Sequence, residues 1–324
     1  MAIGKIPVTV ISGFLGAGKT TLVNHLLSKN QHYRIGVVVN EFGEVGIDGQ
    51  LIVSEQEALI EINNGCVCCT VRADLVASVK EMLDLAGHRL DRLIIETSGL
   101  ADPAPVLQTF LADPDLRTQV ELESVITVVD ALHLNGQISD EIVREQIAFA
   151  DTLILNKSDL VSQDALASIG NRVRLINRTA SIVQTHHAQV AVDALLGTQR
   201  FSLPNLLMIE PDLLADEGHA HEHDASISSC SVVSPGALDP DRFNRWINQL
   251  VNDQGRQLMR MKGLLNFASE GRRFHFHSVH MLLEAMPGRR WEADEPRDNR
   301  FVFIGRDLDS EQLRQGFLDC LHAA

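Results

Sequence analysis

The sequence predicts an α/β fold, in which a domain with a mainly parallel sheet is followed by a smaller α+β domain. Two observations predict it. Up to about residue 205, short apolar runs alternate with helical stretches, and amphipathic elements resume after an acidic, histidine-rich segment. Strands covered by helices on both faces read as unbroken apolar runs, so the first pattern is typical of a parallel sheet.

The elements of the first domain follow these runs in order. The predicted strands are Val8–Ile11, Ile35–Val39, Leu93–Ile95, Val125–Val129 and Leu153–Leu155. The predicted helices are Thr20–Leu27, Ala73–Leu85, Pro105–Leu111, Asp140–Ala150 and Gln163–Ile176. Their alternation indicates helices on both faces of the sheet.

Composition divides the chain into three predicted regions. Residues 1–212 form the first domain, 213–228 form an exposed linker that contains ADEGHAHEHDAS, and 229–324 form the second domain. The linker has no hydrophobic period, which is typical of a solvated segment. In the second domain, the predicted strands are Ser231–Val233, Leu264–Phe267, Arg273–His277 and Arg300–Ile304, with a final helix from Ser310. Another helix begins at Asp239-Pro240, since an N-cap acid followed by proline is a strong start signal.

Charge and cysteine content exclude several classes of protein. The 324 residues carry 28 basic and 43 acidic side chains, a formal charge of −15, which argues against a nucleic-acid or anionic-membrane surface. No apolar run reaches the ~18 residues of a membrane span, and the amino terminus does not resemble a signal peptide. Five cysteines, three of them clustered, do not form a disulfide framework, so we expect a reducing cytoplasm.

A phosphate-binding motif follows the first strand. The segment GFLGAGKT fills the pattern G-x-x-x-x-G-K-[ST] between a predicted strand and a predicted helix. Its glycines let backbone N–H groups surround a β-phosphate, Lys19 adds charge at the β/γ oxygens, and the Thr20 hydroxyl binds Mg²⁺. The predicted phosphate-binding residues are Gly13, Gly16, Ala17, Gly18, Lys19, Thr20 and Thr21.

Two further strand ends complete a nucleotide site. Glu96 follows a strand and is a candidate to hold Mg²⁺ through water, while Ser98 and Gly99 are placed to sense a γ-phosphate. The alternative is a strand that simply ends in polar residues. After Leu153–Leu155 comes NKSD, in which Asp159 can accept the two neighbouring donors of guanine and so select GTP over ATP. Asn156 is placed to bond the other edge of the base, and the stem of Lys157 to cover the ring.

Three thiols form a second candidate site. Cys66, Cys68 and Cys69 follow a turn signal and precede a helix that begins near Val71, where a helix dipole favours thiolate. Zinc takes four ligands, so the motif leaves one position to water, Glu44, a histidine or a client protein. Two alternatives stay open: a redox pair such as Cys66 with Cys69, and an incidental buried cluster.

Acids and histidines elsewhere supply further candidates. Val37–Asp48 occupies the place of a nucleotide-sensing segment, and Glu41, Glu44 and Asp48 are placed to orient water, Mg²⁺ or the second metal. The predicted catalytic residues are Lys19, Glu44 and Asp48. Three linker histidines, namely His219, His221 and His223, are weak secondary zinc ligands or part of a solvated loop.

Five of the histidines outside the linker are further candidates. In FHFHSVH, alternation with Phe274 and Phe276 predicts that His275 and His277 face the surface of a half-buried strand. For these two residues and His280, a surface position is the first interpretation, and a role as metal ligand or partner contact is the second. His186 and His187 fall where a base-contacting loop is expected.

Five segments together carry a resemblance to a family. In order and spacing, GFLGAGKTT, NEFGEVGID, NNGCVCC, ETSGLADP and NKSD resemble the CobW-like GTPases, relatives of the hydrogenase- and urease-maturation GTPases. The resemblance is strong from about Val8 to Asp159 and looser in the second domain. It implies Mg·GTP binding, slow hydrolysis to GDP and phosphate, and metal at the three thiols beside the nucleotide. Members serve zinc homeostasis, cobalamin synthesis or nitrile hydratase activation.

These features predict a GTPase that couples nucleotide state to zinc binding and passes zinc to a client protein. One alternative is a GTP-binding zinc buffer or sensor without a client. Another is a cobalt-delivery GTPase, because thiolates bind Co²⁺ in the same geometry with lower affinity. No nucleic-acid or membrane partner is expected, and a homo-oligomer stays open.

Overall fold

Seven strands form one sheet in the first part of the chain, within the described residues. The computed structural model describes residues 5–30, 32–41, 58–63, 70–86, 90–198, 227–292 and 294–322. The strands are β1 (Ile6–Ser12), β2 (Ile35–Glu41), β3 (Ala58–Asn63), β4 (Arg92–Thr97), β5 (Val120–Asp130), β6 (Thr152–Asn156) and β7 (Ser181–Gln184). Their order is β3-β2-β4-β1-β5-β6-β7, and all neighbours are parallel, as predicted.

Helices alternate with these strands. They are α1 (Lys19–Lys29), α2 (Thr70–Ala86), α3 (Ala104–Ala112), α4 (Pro114–Gln119), α5 (Leu134–Gln137), α6 (Glu141–Phe149), α7 (Gln163–Ile176) and α8 (Val192–Leu195). The five predicted helices are present, with boundaries that differ by at most three residues. Asp140 is the N-cap of α6 and accepts from the backbone N–H of Ile142 at 2.9 Å, which satisfies an amide that the helix itself leaves unpaired.

The chain divides into two units. The first comprises Met1–Asn171 and Ala180–Phe201, and the second comprises Arg172–Thr179 and Ser202–Ala324. The predicted linker, 213–228, lies outside the described residues except for Ile227 and Ser228, which begin a strand. The domain boundaries therefore remain predictions.

The centre of the parallel sheet is apolar on both faces. Val8, Val10 and Ile11 of β1 have no exposed surface, and every residue of β4 and β6 is buried. Burial of each valine, leucine or isoleucine among them contributes about 1.5–3 kcal/mol. Because β4, β1, β5 and β6 are consecutive and parallel, the segments that follow them leave the sheet at one edge. The phosphate motif, Glu96 and NKSD are thereby brought to the same edge.

A buried ion pair lies toward the opposite edge, where β4 begins. Arg92 donates to the carboxylate of Glu123 and lies over the Tyr33 ring, 4.3 Å from its centroid. The hydroxyl of Thr9 donates to the same carboxylate at 3.4 Å. The side chain of Glu123 is 3% exposed and that of Arg92 is 11% exposed, so removal of either charge leaves the other in a poorly solvated place.

Replacing Glu123 by alanine is expected to lower the free energy of unfolding by about 3–5 kcal/mol, because Arg92 then keeps a buried charge without this partner. Urea unfolding followed by circular dichroism measures the change. Glu121 lies two residues earlier on β5 and is exposed, so Glu121→Ala is a matched control with an expected change below about 0.5 kcal/mol. Equal losses in the two variants would show that the pair does not stabilise the sheet.

The described part of the second unit contains one antiparallel sheet and two further helices. Its strands are β8 (Ile227–Ser234), β9 (Leu258–Asn266), β10 (Arg272–Val279), β11 (Leu282–Arg290) and β12 (Asn299–Arg306), in the order β11-β10-β9-β12-β8. The helices are α9 (Pro240–Gln254) and α10 (Ser310–Leu318). Phe243 of α9 is central to the core, with the rings of Phe267, Phe276, Phe301 and Phe317 at 5.6–6.1 Å. Among all described helices, none is long and apolar enough to cross a membrane.

The prediction that His275 and His277 lie on the surface is wrong. Their side chains are buried, at 9% and 4% exposure. The neighbouring strand β9 is buried at every position, so both faces of this part of the sheet are covered and alternation does not separate core from solvent. Burial, aided by Arg273 and His277, lowers the pKa of His275 to about 4. His277 Nε2 bonds the Glu284 carboxylate at 3.0 Å, and His280 lies in the β10–β11 turn.

Candidate nucleotide site

The loop between β1 and α1 can adopt its path only because of its glycines. Gly13, Gly16 and Gly18 have φ of 140°, 71° and 108°, a range that side chains disfavour. A Cβ atom on Gly13 would overlap the carbonyl oxygen of Val128, and one on Gly18 would lie 2.5 Å from Nδ2 of Asn156. The loop ends where α1 begins at Lys19, so the amides of a helix N-terminus face the loop. This is an anion-binding arrangement.

The charged and hydroxyl groups of the loop converge with the end of β4. The ammonium of Lys19 donates to the carbonyl oxygen of Phe14 at 3.3 Å, within its own loop. The hydroxyl of Thr20 donates to Glu96 Oε1 at 2.8 Å, and Glu96 is 4% exposed. A hydroxyl and a carboxylate side by side are oxygen ligands of the kind that Mg²⁺ takes beside a phosphate. The residues present therefore fit a magnesium ion.

A cleft of about 280 Å³ lies over this loop. Its lining includes Gly16, Gly18, Lys19, Thr20, Thr21, Glu96, Ser98 and Gly99, all of them predicted, together with Leu15, Val39 and Thr97. A Cβ atom on Gly99 would lie 2.8 Å from the backbone nitrogen of Leu15, so the two loops approach closely. The buried amide of Gln146 donates to the carbonyls of Gly99 and Ala101, both at 3.2 Å, and fixes the loop after β4.

The segment after β6 is bonded to three other loops. Asn156 donates to the carbonyl of Ala17 at 2.9 Å and accepts from the backbone N–H of Ala188 at 2.9 Å. Ser158 donates through its backbone N–H and its hydroxyl to the carbonyl of Thr185, at 3.1 and 2.9 Å. The side chain of Asn156 thus links the phosphate loop to the loop after β7. Its predicted contact with the base stays a prediction.

Lys157 is held by an acid at the end of β5. Its ammonium donates to Asp130 Oδ2 at 2.6 Å, and the ring Nδ1 of His133 contacts the same oxygen at 2.9 Å. Burial raises the pKa of Asp130, but the hydrogen bonds from Lys157 and His133 outweigh burial and leave the pKa below its ordinary value. Lys157 has φ 59°, a left-handed backbone that costs a non-glycine residue about 1 kcal/mol or more.

Asp159 lies in the 3₁₀ turn Ser158–Leu160 and is exposed. Next to this segment, His186 and His187 are exposed in the loop after β7, with their ring centroids 6.0 Å apart. His187 and Ala188 both have positive φ. Asp159, which is predicted to read the base, therefore lies near a turn whose backbone is bonded to Asn156.

Comparison with known proteins agrees with this geometry. Residues 7–184 match the CobW/HypB/UreG nucleotide-binding domain, and residues 227–321 match the cobalamin synthesis protein cobW C-terminal domain. The chain belongs to the CobW/HypB/UreG family. Its relatives include the zinc chaperone YjiA of Escherichia coli K12, which is 33% identical over 96% of this chain and 98% of the relative.

Two further relatives extend the comparison within the CobW/HypB/UreG family. The zinc-regulated GTPase metalloprotein activator 1 of Schizosaccharomyces pombe is 29% identical over 96% of this chain and 82% of its own length. A crystal structure of Zn(II)-bound YjiA GTPase from E. coli superposes with a TM-score of 0.76, at 29% identity, over 98% of this chain and 100% of that one.

Several predicted site residues of this CobW-family chain lie outside the described residues. They are Glu44, Asp48, Cys66, Cys68, Cys69, His219, His221 and His223. Within the described ranges, no group of three or more His, Cys, Asp or Glu side chains could hold a metal ion. The metal ligands and the predicted catalytic acids therefore stay predictions.

Three residues of the site lie outside the motifs that identify it in the sequence. Asp130 ends β5, Gln146 belongs to α6, and Ala188 lies in the loop after β7. A signal for Asp130 exists, since parallel strands end at one edge and Asp130 is a polar residue directly after the apolar run Val125–Val129. Gln146 lies within a helix, and nothing in its local pattern indicates the two loop carbonyls that it binds.

Proposed function

We propose that this chain is a GTP-hydrolysing zinc chaperone, in which the nucleotide controls zinc affinity at Cys66, Cys68 and Cys69 and the metal passes to a client protein. One observation carries the proposal: a phosphate loop, the Thr20–Glu96 pair and a base-reading segment meet at one edge of the sheet. The zinc assignment is supported by relatives named zinc chaperones. Thiolate ligands require a reducing compartment such as the cytoplasm.

The thiol motif is connected to the same edge of the sheet. β3 ends at Asn63, so the chain enters the motif at the edge where the parallel strands end, and α2 begins after the motif at Thr70. β3 is three strands from β1 in the sheet order, which is about 14 Å at the usual strand spacing. A loop ordered by the triphosphate can bridge that distance.

We propose the following roles in the reaction. Lys19 and the amides at the start of α1 bind the β- and γ-phosphates and offset the charge that develops there during hydrolysis. Thr20 and Glu96 would hold Mg²⁺, which neutralises phosphate charge when bound. Asp159 reads guanine, and Glu44 and Asp48 are proposed to position the attacking water.

The test is whether nucleotide and metal binding are coupled. Mg·GTP is expected to raise Zn²⁺ affinity about tenfold relative to Mg·GDP, which requires about 1.4 kcal/mol of differential contact. Linkage requires that Zn²⁺ raise the preference for GTP over GDP by the same factor. Competition against a zinc-binding dye in the presence of each nucleotide measures zinc affinity, and titration of each nucleotide with and without Zn²⁺ measures the converse.

Replacement of Cys66, Cys68 and Cys69 by serine should abolish the coupling and leave metal-free GTP binding intact. The matched control replaces His219, His221 and His223 by alanine, which should remove weakly bound zinc but preserve the coupling. Equal zinc affinity in the GTP, GDP and nucleotide-free states would contradict the carrier function and favour a simple zinc buffer. The same titration with Co²⁺ tests the cobalt alternative, which predicts that GTP tightens Co²⁺ more than Zn²⁺.

A further inference from the structure

The carboxylate of Asp130 receives four hydrogen bonds. Oδ1 accepts from the backbone N–H groups of Leu132 and His133, at 3.0 and 3.2 Å. Oδ2 accepts from the ammonium of Lys157 at 2.6 Å and contacts Nδ1 of His133 at 2.9 Å. The side chain of Asp130 is 5% exposed, so these contacts, and not solvent, define the position of the carboxylate.

The same loop is joined to the base-reading segment through the backbone. Asp130 is in register with Asn156 on the neighbouring strand, and the N–H of Ala131 donates to the carbonyl of Asn156 at 2.9 Å. Lys157 comes next, with the left-handed φ of 59°. A backbone in this region persists only where its surroundings determine it. The bond to Asp130 provides such a determinant for the residue two positions before Asp159.

Charge gives the contact a second consequence. Lys157 bonds the carboxylate of Asp130 on the neighbouring loop, and it lies two residues before a second carboxylate, Asp159, in its own turn. An ammonium that paired with Asp159 would occupy the oxygens that guanine needs for its N1–H and 2-amino group. The short bond to buried Asp130 directs the ammonium away from that role.

We propose that Asp130 is a positioning residue for guanine recognition: it anchors Lys157 and so keeps the carboxylate of Asp159 available to the base. The inference rests on the proposed GTP function and assigns a specificity role to a residue outside the NKSD motif. Asp130 does not line the cleft over the phosphate loop. Its effect therefore belongs to base discrimination and not to phosphate binding.

The experiment compares three ligands by calorimetry: GTP, inosine triphosphate, which lacks the 2-amino group, and inorganic triphosphate, which lacks the base. Asp130→Asn keeps the shape but removes the charge that holds Lys157. GTP affinity should fall about tenfold, inosine triphosphate affinity should fall less, and inorganic triphosphate affinity should stay within about twofold. Asp140→Asn is the matched control, since an asparagine N-cap still accepts from Ile142, and it should leave all three affinities unchanged.

A second variant removes the other end of the contact. Lys157→Met leaves both backbone bonds of Asp130 in place and removes the ammonium that could pair with Asp159, so combining it with Asp130→Asn should restore the preference for GTP over inosine triphosphate. Loss of ring coverage affects both bases alike, so the ratio of the two affinities reports on Asp159. An unchanged ratio in Asp130→Asn, a ratio that Lys157→Met does not restore, or equal losses for GTP and inorganic triphosphate, would overturn the proposal. A wild-type chain that binds triphosphate without preferring GTP would instead reject guanine recognition itself.

Discussion

Replacing Lys19 by methionine should weaken Mg·GTP binding about 100-fold and leave the fold of the nucleotide-free protein intact. A hydrogen bond to a charged group contributes about 1.5–3 kcal/mol, and the ammonium of Lys19 is the cation that the phosphate loop directs to the β- and γ-phosphates. In the structure the ammonium donates to the carbonyl of Phe14 at 3.3 Å, which is a long hydrogen bond within the phosphate loop. Methionine keeps the buried apolar stem of the lysine and removes only the charge.

Calorimetric titration with a slowly hydrolysed GTP analogue measures the affinity, and thermal melting followed by circular dichroism measures the fold. Lys29→Met is the matched control, because Lys29 is an exposed lysine in the last turn of the same helix. It should change neither quantity. A large drop in melting temperature of the nucleotide-free Lys19→Met protein would show that Lys19 stabilises the fold instead of binding phosphate.

The parallel sheet was predictable because its central strands are buried on both faces. Val8, Val10 and Ile11 have no exposed surface. Because both faces of β1 are buried, the strand appears in the sequence as an apolar run. The motifs at the ends of β1, β4 and β6 could be placed together because parallel strands end at one edge. Their convergence at one edge of the sheet follows from topology, which the alternation of strands and helices indicates.

Edge strands were harder to predict. β7 has four residues, SIVQ, and the apolar residues of β3 are interrupted by Glu61, so neither strand gives a strong apolar signal. β11 contains Pro287 and Gly288, which argue against a strand in general but are tolerated at the edge of a sheet. An edge position depends on which strands pair, and a local pattern does not contain that information.

Buried polar residues were the second feature that the local sequence pattern did not predict. His275 and His277 alternate with phenylalanines as surface residues do, yet neighbouring strand β9 is buried throughout, including Arg260 and Lys262. Asp130 belongs to the base-reading segment only through pairing of β5 with β6. In both cases the decisive contact comes from a strand distant in sequence. The thiol motif stays a prediction, because it lies outside the described residues.

Replacing Asp159 by asparagine should weaken GTP binding about 100-fold and strengthen binding of xanthosine triphosphate. The carboxylate is proposed to accept from N1–H and the 2-amino group of guanine. Asparagine replaces one acceptor oxygen of the carboxylate with an N–H₂ group, which would face a donor of guanine. Two charge-assisted bonds at about 1.5 kcal/mol each give about 3 kcal/mol, or roughly two decades of affinity. Xanthine carries an oxygen where guanine has its amino group, so the new N–H₂ group finds an acceptor.

The position of Asp159 makes this substitution a clean test. Asp159 is exposed in the 3₁₀ turn, while Asn156 and Ser158 hold the turn through bonds to Ala17 and Thr185 that asparagine at 159 leaves in place. Asp164→Asn, an exposed acid in the first turn of α7, is the control and should bind both nucleotides as the wild type does. Competition binding with the two triphosphates measures the ratio. Unchanged GTP affinity in Asp159→Asn would remove Asp159 from the site, and an equal loss of both nucleotides would indicate a disturbed turn instead of an altered base contact.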